Sequence, residues 1–431
     1  MGAAALDSAM ADEGVGDATG PKYWSVGATL RGFYDDNYAI TTTQKGSGGI
    51  EFSPNVSVHV PLQQTDFGLR YTYGLYYYQD RQDAGVNPYD QSHQLDLWLD
   101  HAFNERWKTE VTDSFRVGQE PELLNPNPTV AVATPYRVDG DNISNHGQIT
   151  VDTKWTRLLS TTISYGNSYV DFSNSGAYID SSGMLVAPEG GIGGASLAGL
   201  LNSIQQSVSL DLNWHLRPDT TAFVGYQFSW ADYTAGEPIA IDPVTGFIYH
   251  SSDRNSDSQY GYLGLEEDFT SNLSLIARVG ATYTDVYGDP ILPYKSWSPY
   301  ADISLSYTYI PGSYVQFGFT HDISSTDQVA PNSAGQITQY SEDSVIYVDV
   351  NHRITRKLVA TIIGRVQLTS YQGGAANSAS TTDYGLGLNL TYQLNTHLSF
   401  DAGYNYDNVV SDISGYGYSR NRVYLGMTAN Y

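Results

Sequence analysis

Eight charged residues, Arg31, Arg70, Arg116, Arg278, Arg365, Asp96, Asp211 and Asp302, stand in stretches where polar or small residues alternate with apolar ones. Side chains two apart on a strand share a face, so guanidinium and carboxylate groups of both signs would project from one side of a sheet. Such groups pair with one another, hold water and set the field a passing solute meets. Arg70 and Arg365 are candidates for lining a constriction. Trp98, Tyr262, Tyr347 and Tyr424 fall on the same polar parity, as do Tyr76, Phe223, Tyr260 and Tyr314. Their rings could stack on sugar faces or serve only as packing.

The residues needed for bond-making chemistry are missing or misplaced. No serine elbow occurs, and His59, His93, His101, His215 and His352 are scattered. Glu266 and Glu267 are neighbours in sequence, so on a strand they point to opposite faces. The run GGIGG at 190–194 has neither a phosphate-binding lysine nor a strand-to-helix setting, and it reads as a mobile loop or a plug segment. Acidic links carrying Asp80, Glu189, Glu237, Asp242 and Asp253 offer hard oxygen ligands, but no spaced metal-loop motif. We expect no catalytic residues, no metal and no cofactor: a channel rather than an enzyme.

Composition points the same way. The chain has 431 residues, of which 16% are charged and 13% aromatic, with 36 Tyr, 42 Gly, no Cys and a formal charge of -25. That is charge-poor for a globular chain. The acidic balance leaves no basic stripe for phosphates, so nucleic acid is not an expected partner. No stretch has the 18 or more apolar residues of a membrane helix. Residues 1–22 include Ala9-Met10-Ala11, a small-x-small pattern without the basic and apolar regions of a full signal peptide. They read as the remnant of a truncated or mis-started signal, or else as a disordered leader outside the fold.

The elements that must position these side chains are strands. From Tyr23 onward the apolar period is two: Phe67, Leu69, Tyr71, Tyr73, Leu75 and Tyr77 show it, as do Val208, Leu210, Leu212 and Trp214. About eighteen such segments follow one another from 23–35 to 418–431, including 298–310, 342–353 and 356–370. Most are twice the length of an ordinary strand and long enough to cross a bilayer at a tilt. Tight turns such as RPDT and IPGS alternate with long links such as Gly118 to Asn142 and Phe172 to Leu201. Short turns on one side and long loops on the other describe an all-β transmembrane antiparallel barrel over residues 23–431, its short turns periplasmic and its long loops extracellular. Trp24, Phe103, Trp107, Trp155 and Trp214 sit near the short turns and Tyr34, Tyr77 and Trp230 near the long loops, as two interfacial girdles would.

The first strand and its turn, "VGATLRGFYDDNYAI", with Tyr34, Asp35, Asp36 and Asn37, followed by "GGIEFSPNVSVHVP", resemble the putative beta-barrel porin 2 family of bacterial outer-membrane proteins. The resemblance implies an outer-membrane barrel of about eighteen strands, in contact with phospholipid and lipopolysaccharide. Several members of that family are encoded with exopolysaccharide synthesis and export machinery. It therefore implies an exit barrel for exopolysaccharide, working with a periplasmic polysaccharide export protein. The alternative is a passive diffusion porin for small solutes, and a third reading is a structural or adhesive barrel.

The chain ends on Val423, Leu425, Met427, Ala429 and Tyr431, apolar at every second position to the last residue. This is similar to the terminal signal that the barrel assembly machinery recognises, and it predicts a closing strand paired with the first.

Overall fold

In the computed structural model, described for residues 22–83, 87–119, 140–288 and 294–431, one antiparallel sheet of eighteen strands closes on itself. The expected leader, up to residue 21, and most of the link between Gly118 and Asn142 lie outside the described residues. Each strand pairs with its sequence neighbours. The eighteenth strand (Tyr418–Asn430) pairs with the first (Trp24–Asp35) from Gly27 opposite Asn430 to Asp35 opposite Arg422. Two further bonds, Tyr431 N to Val26 O at 2.8 Å and Val26 N to Tyr431 O at 3.0 Å, carry the seam to the last residue. An edge left open in lipid would strand its backbone donors and acceptors, and closure removes that cost.

Alternation decides which face meets lipid. Val208, Leu210, Leu212 and Trp214 on the eighth strand (Ser203–Arg217) and Val423, Leu425 and Met427 on the last are all exposed, Leu425 by 69%. Outward parity is thus apolar and inward parity polar, as sequence alternation requires. Pro54 lies inside the second strand (Ser47–Pro61), opposite Ala28 of the first. Lacking an N–H, it cannot donate to the ladder, and pairing with the third strand (Thr65–Tyr78) skips Ser53 and Pro54.

Observed spans follow the expected segments, and several run longer at the loop ends. The twelfth strand is Tyr294–Ile310, against 298–310, and the fourteenth is Thr338–Arg353, against 342–353. Above the lipid neither face has to be apolar, so the alternation that marks a strand stops before the strand does.

The largest hydrophobic cluster stands at the long-loop end of the barrel. Leu197, Leu200 and Leu201 of a short helix (Leu197–Leu201), Ile239, Ala240 and Tyr249 of a small hairpin (Pro238–Ile241 with Ile248–His250), and Val329 and Ile337 of the 325–337 link pack with Phe172. At 190–194, read from the sequence as a mobile loop or a plug segment, Ile192 bridges Ala195, which is fully buried in this cluster.

Candidate channel lumen and external mouth

Arg31 projects inward from the first strand between two acidic neighbours. Its Nε donates to Asp401 Oδ2 at 2.6 Å and its Nη1 to Glu51 Oε1 at 3.2 Å, and its guanidinium lies 5.0 Å from the Tyr424 ring centre. Gly426 separates Arg31 from Asp401 in the ladder, and without a side chain there the guanidinium can reach across. Further round the wall, Arg278 Nη1 donates to Asp302 Oδ2 at 2.9 Å, with both side chains about one-third exposed at 32% and 38%. Asp211 accepts from the Tyr262 hydroxyl at 2.6 Å. Asp96 accepts from Ser114 at 2.7 Å and from Gln94 at 3.1 Å. Arg70 stands in register with Asp96, Arg116 with Gln94 and Arg365 with Tyr347, and an Arg365 Nη2 hydrogen bond goes to Gln367. Arg31, Arg278, Asp211 and Asp96 are thus each held by neighbours on nearby strands.

The aromatic candidates share one local geometry that the sequence reading overlooked. Each stands directly opposite a glycine of the neighbouring strand: Trp98 opposite Gly68, Tyr262 opposite Gly225, Tyr347 opposite Gly318 and Tyr424 opposite Gly403. A Cβ on Gly68 would fall 1.8 Å from the Trp98 ring, and one on Gly225 would fall 2.1 Å from Tyr262. The rings lie along the wall over the gaps the glycines leave. Phe33 over Gly49 and Phe223 over Gly264 repeat the arrangement. The signal was present as glycine at the inward parity of strands next to an inward ring.

The turn Tyr34 to Asn37, singled out in the sequence, fastens the seam. Asp35 is fully buried and accepts from Arg420 Nε at 2.8 Å and Nη2 at 2.5 Å. Asp36 accepts from Asn421 N at 2.6 Å and Nδ2 at 2.7 Å, while Asn37 Nδ2 donates to Ser419 O at 2.9 Å. Three successive turn residues thus tie the top of the first strand to the top of the last.

At the external mouth three loops meet. Glu237 accepts from Gly176 N at 2.7 Å, Ala177 N at 3.0 Å and Ser196 Oγ, tying loop 173–202 to loop 234–255. Arg254, 1% exposed, donates to Leu200 O at 3.0 Å and to Thr326 O at 2.5 Å, and its guanidinium lies 4.4 Å from the Tyr233 ring centre. Tyr249 donates its hydroxyl to Gly335 O at 2.6 Å. Sequence reasoning missed Glu237, Arg254 and Asp327 as builders of this assembly. Two signals could have found it: Arg254 is the only Arg or Lys between residues 234 and 255, and Leu197, Leu200 and Leu201 recur at helical spacing.

The family model described as putative beta-barrel porin 2 matches residues 199–431, more than half of the chain. The chain belongs to this family. It is an outer-membrane, multi-pass β-barrel of porin-like channel type. Among solved structures it is similar to OccAB4 of Acinetobacter baumannii, at 11% identity over 96% of this chain and 100% of that one, with a TM-score of 0.41. It is also similar to OpdK of Pseudomonas aeruginosa, at 9% identity over 95% and 99% of the two chains, with TM-scores of 0.44 and 0.46 for two structures. No curated protein matches the chain.

Proposed function

We propose that this barrel is a passive diffusion porin for small polar solutes with a preference for cations. The observation that carries the reading is the inward wall, on which Arg278 and Asp302 remain about one-third open to solvent while paired with each other. An interior filled by side chains would exclude water from such a pair, whereas barrels of sixteen to eighteen strands have room for an aqueous channel. The acidic balance of the chain, 46 carboxylates against 21 basic residues, supports the cation preference. An exit barrel for exopolysaccharide would call for ring faces presented as a sugar track. Here Tyr262 and Phe223 are both over 90% buried against their glycine seats, and Trp98, Tyr347 and Tyr424 are half-buried over theirs, which supports the porin reading over a track of open ring faces. The test is conductance of the purified barrel in a planar bilayer under a potassium chloride gradient. A steady current with a reversal potential toward that of potassium is expected; a closed barrel, or a potential toward chloride, would count against the proposal.

A further inference from the structure

We infer that the three-loop assembly at the external mouth is the element that sets the size limit of the channel, with the strap of residues 325–337 as its cross-member and Arg254 as the residue that positions it. The inference rests on the channel reading above.

The strap reaches opposite walls. Gln205, on the eighth strand, donates to Ser325 Oγ at 2.9 Å. Two residues along the strap, Asp327 Oδ2 accepts from the hydroxyl of Tyr416 at 2.7 Å, and Tyr416 lies in the loop joining the seventeenth strand (Leu398–Ser411) to the eighteenth. In a ring of eighteen strands the eighth and seventeenth stand nine apart in either direction. Residues 325 and 327 are at most about 7 Å apart along the chain, so four side chains and this short backbone bridge the mouth from the eighth strand to the loop after the seventeenth. Ala375 N donates to Ala330 O at 2.8 Å, adding a third wall, the link after the fifteenth strand (Leu358–Gly373).

The bridge is built as a fixed body. Val329 and Ile337 of the strap are buried in the same cluster as Leu197, Leu200, Leu201, Ile239 and Tyr249. Arg254 joins the pieces through carbonyl oxygens of two different loops. At 1% exposure its Nη1 and Nη2 have those carbonyls, and its face the Tyr233 ring, in place of solvent. A solute arriving from outside meets the strap first.

The test is liposome swelling with neutral mono-, di-, tri- and tetrasaccharides, together with single-channel conductance. It compares the full chain, Arg254→Met, and a chain with residues 326–336 replaced by a short Gly-Ser linker. Heat-modifiable electrophoresis verifies that each barrel is folded, and the linker variant serves if Arg254→Met does not fold. We expect both variants to admit larger saccharides and to conduct several-fold more current. A native chain that is closed while the linker variant conducts would support the strap as the obstructing element and overturn the passive porin reading. Folded variants with the native size limit and conductance would overturn it and leave the porin reading standing. Failure of every form, the linker variant included, to conduct or to swell would overturn both.

Discussion

Tyr262 occupies its position because Gly225 has no side chain. The ring covers the glycine opposite, its hydroxyl bonds Asp211 at 2.6 Å, and its other neighbour is the Tyr300 ring at 5.6 Å between centres. A branched side chain at Gly225 would force the ring off this seat and break the bond to Asp211. Overpacking of this kind costs about 1–3 kcal/mol. Gly225→Val is therefore expected to lower the temperature at which the folded form is lost on heat-modifiable electrophoresis. Gly261 supplies the control, since it faces lipid and a Cβ there meets nothing within 4 Å. Gly261→Val should leave that temperature nearly unchanged. Equal effects at the two positions would remove the seat from the account of why these rings line the wall.

At the scale of elements, the seam is the junction with the fewest covalent constraints, because it joins the two ends of the chain. Asp35 and Arg420 are buried there together, with side-chain exposures of 0% and 5%. Asp35→Asn keeps the shape but withdraws the carboxylate from a guanidinium that has no water to replace it. Removing one partner of a buried ion pair costs about 3 kcal/mol or more, so this variant should unfold in detergent well below the native form. At the other end of the seam the Tyr431 ring lies 6.0 Å from Trp24 and 4.0 Å from Lys22 Nζ. Deleting Tyr431 should reduce insertion in cells more than refolding into detergent; equal yields of inserted barrel would separate this residue from the assembly signal. These two ends also mark how far sequence reading reaches. Lipid imposes alternation on every crossing segment, which is why all eighteen strands and the closing role of the C-terminus were legible. Where lipid stops, the constraint stops, and so residues 294–297 and 338–341 did not read as strand. The Asp-Asp-Asn turn stood out in the sequence, but its partners Arg420 and Asn421 lie 385 residues away, a contact that only the closed ring reveals.

At the scale of the whole molecule, the cap places an ionisable group where its charge is costly. Asp327 is buried between the strap and the far wall, and burial pushes its carboxyl above the ordinary carboxylate range. The Tyr416 hydroxyl, the Gln328 amide and the Arg254 cation pull the other way without overcoming burial, and Tyr371 also faces it. A carboxyl whose value is raised in the assembled cap binds its proton more tightly there than in a released strap. Its contribution to holding the strap is therefore complete below the ordinary carboxylate range and is lost as pH rises through the raised value. Excursions to a wider conductance level should thus become more frequent with rising pH, measured on single channels at fixed voltage and salt. Asp327→Asn removes the titration while keeping an acceptor for Tyr416, and it should flatten that dependence. A dependence of the same slope in Asp327→Asn would place the responsible group elsewhere in the barrel, and a dependence of opposite sign would mean that the charged carboxylate, held by Tyr416 and Arg254, is what keeps the strap in place.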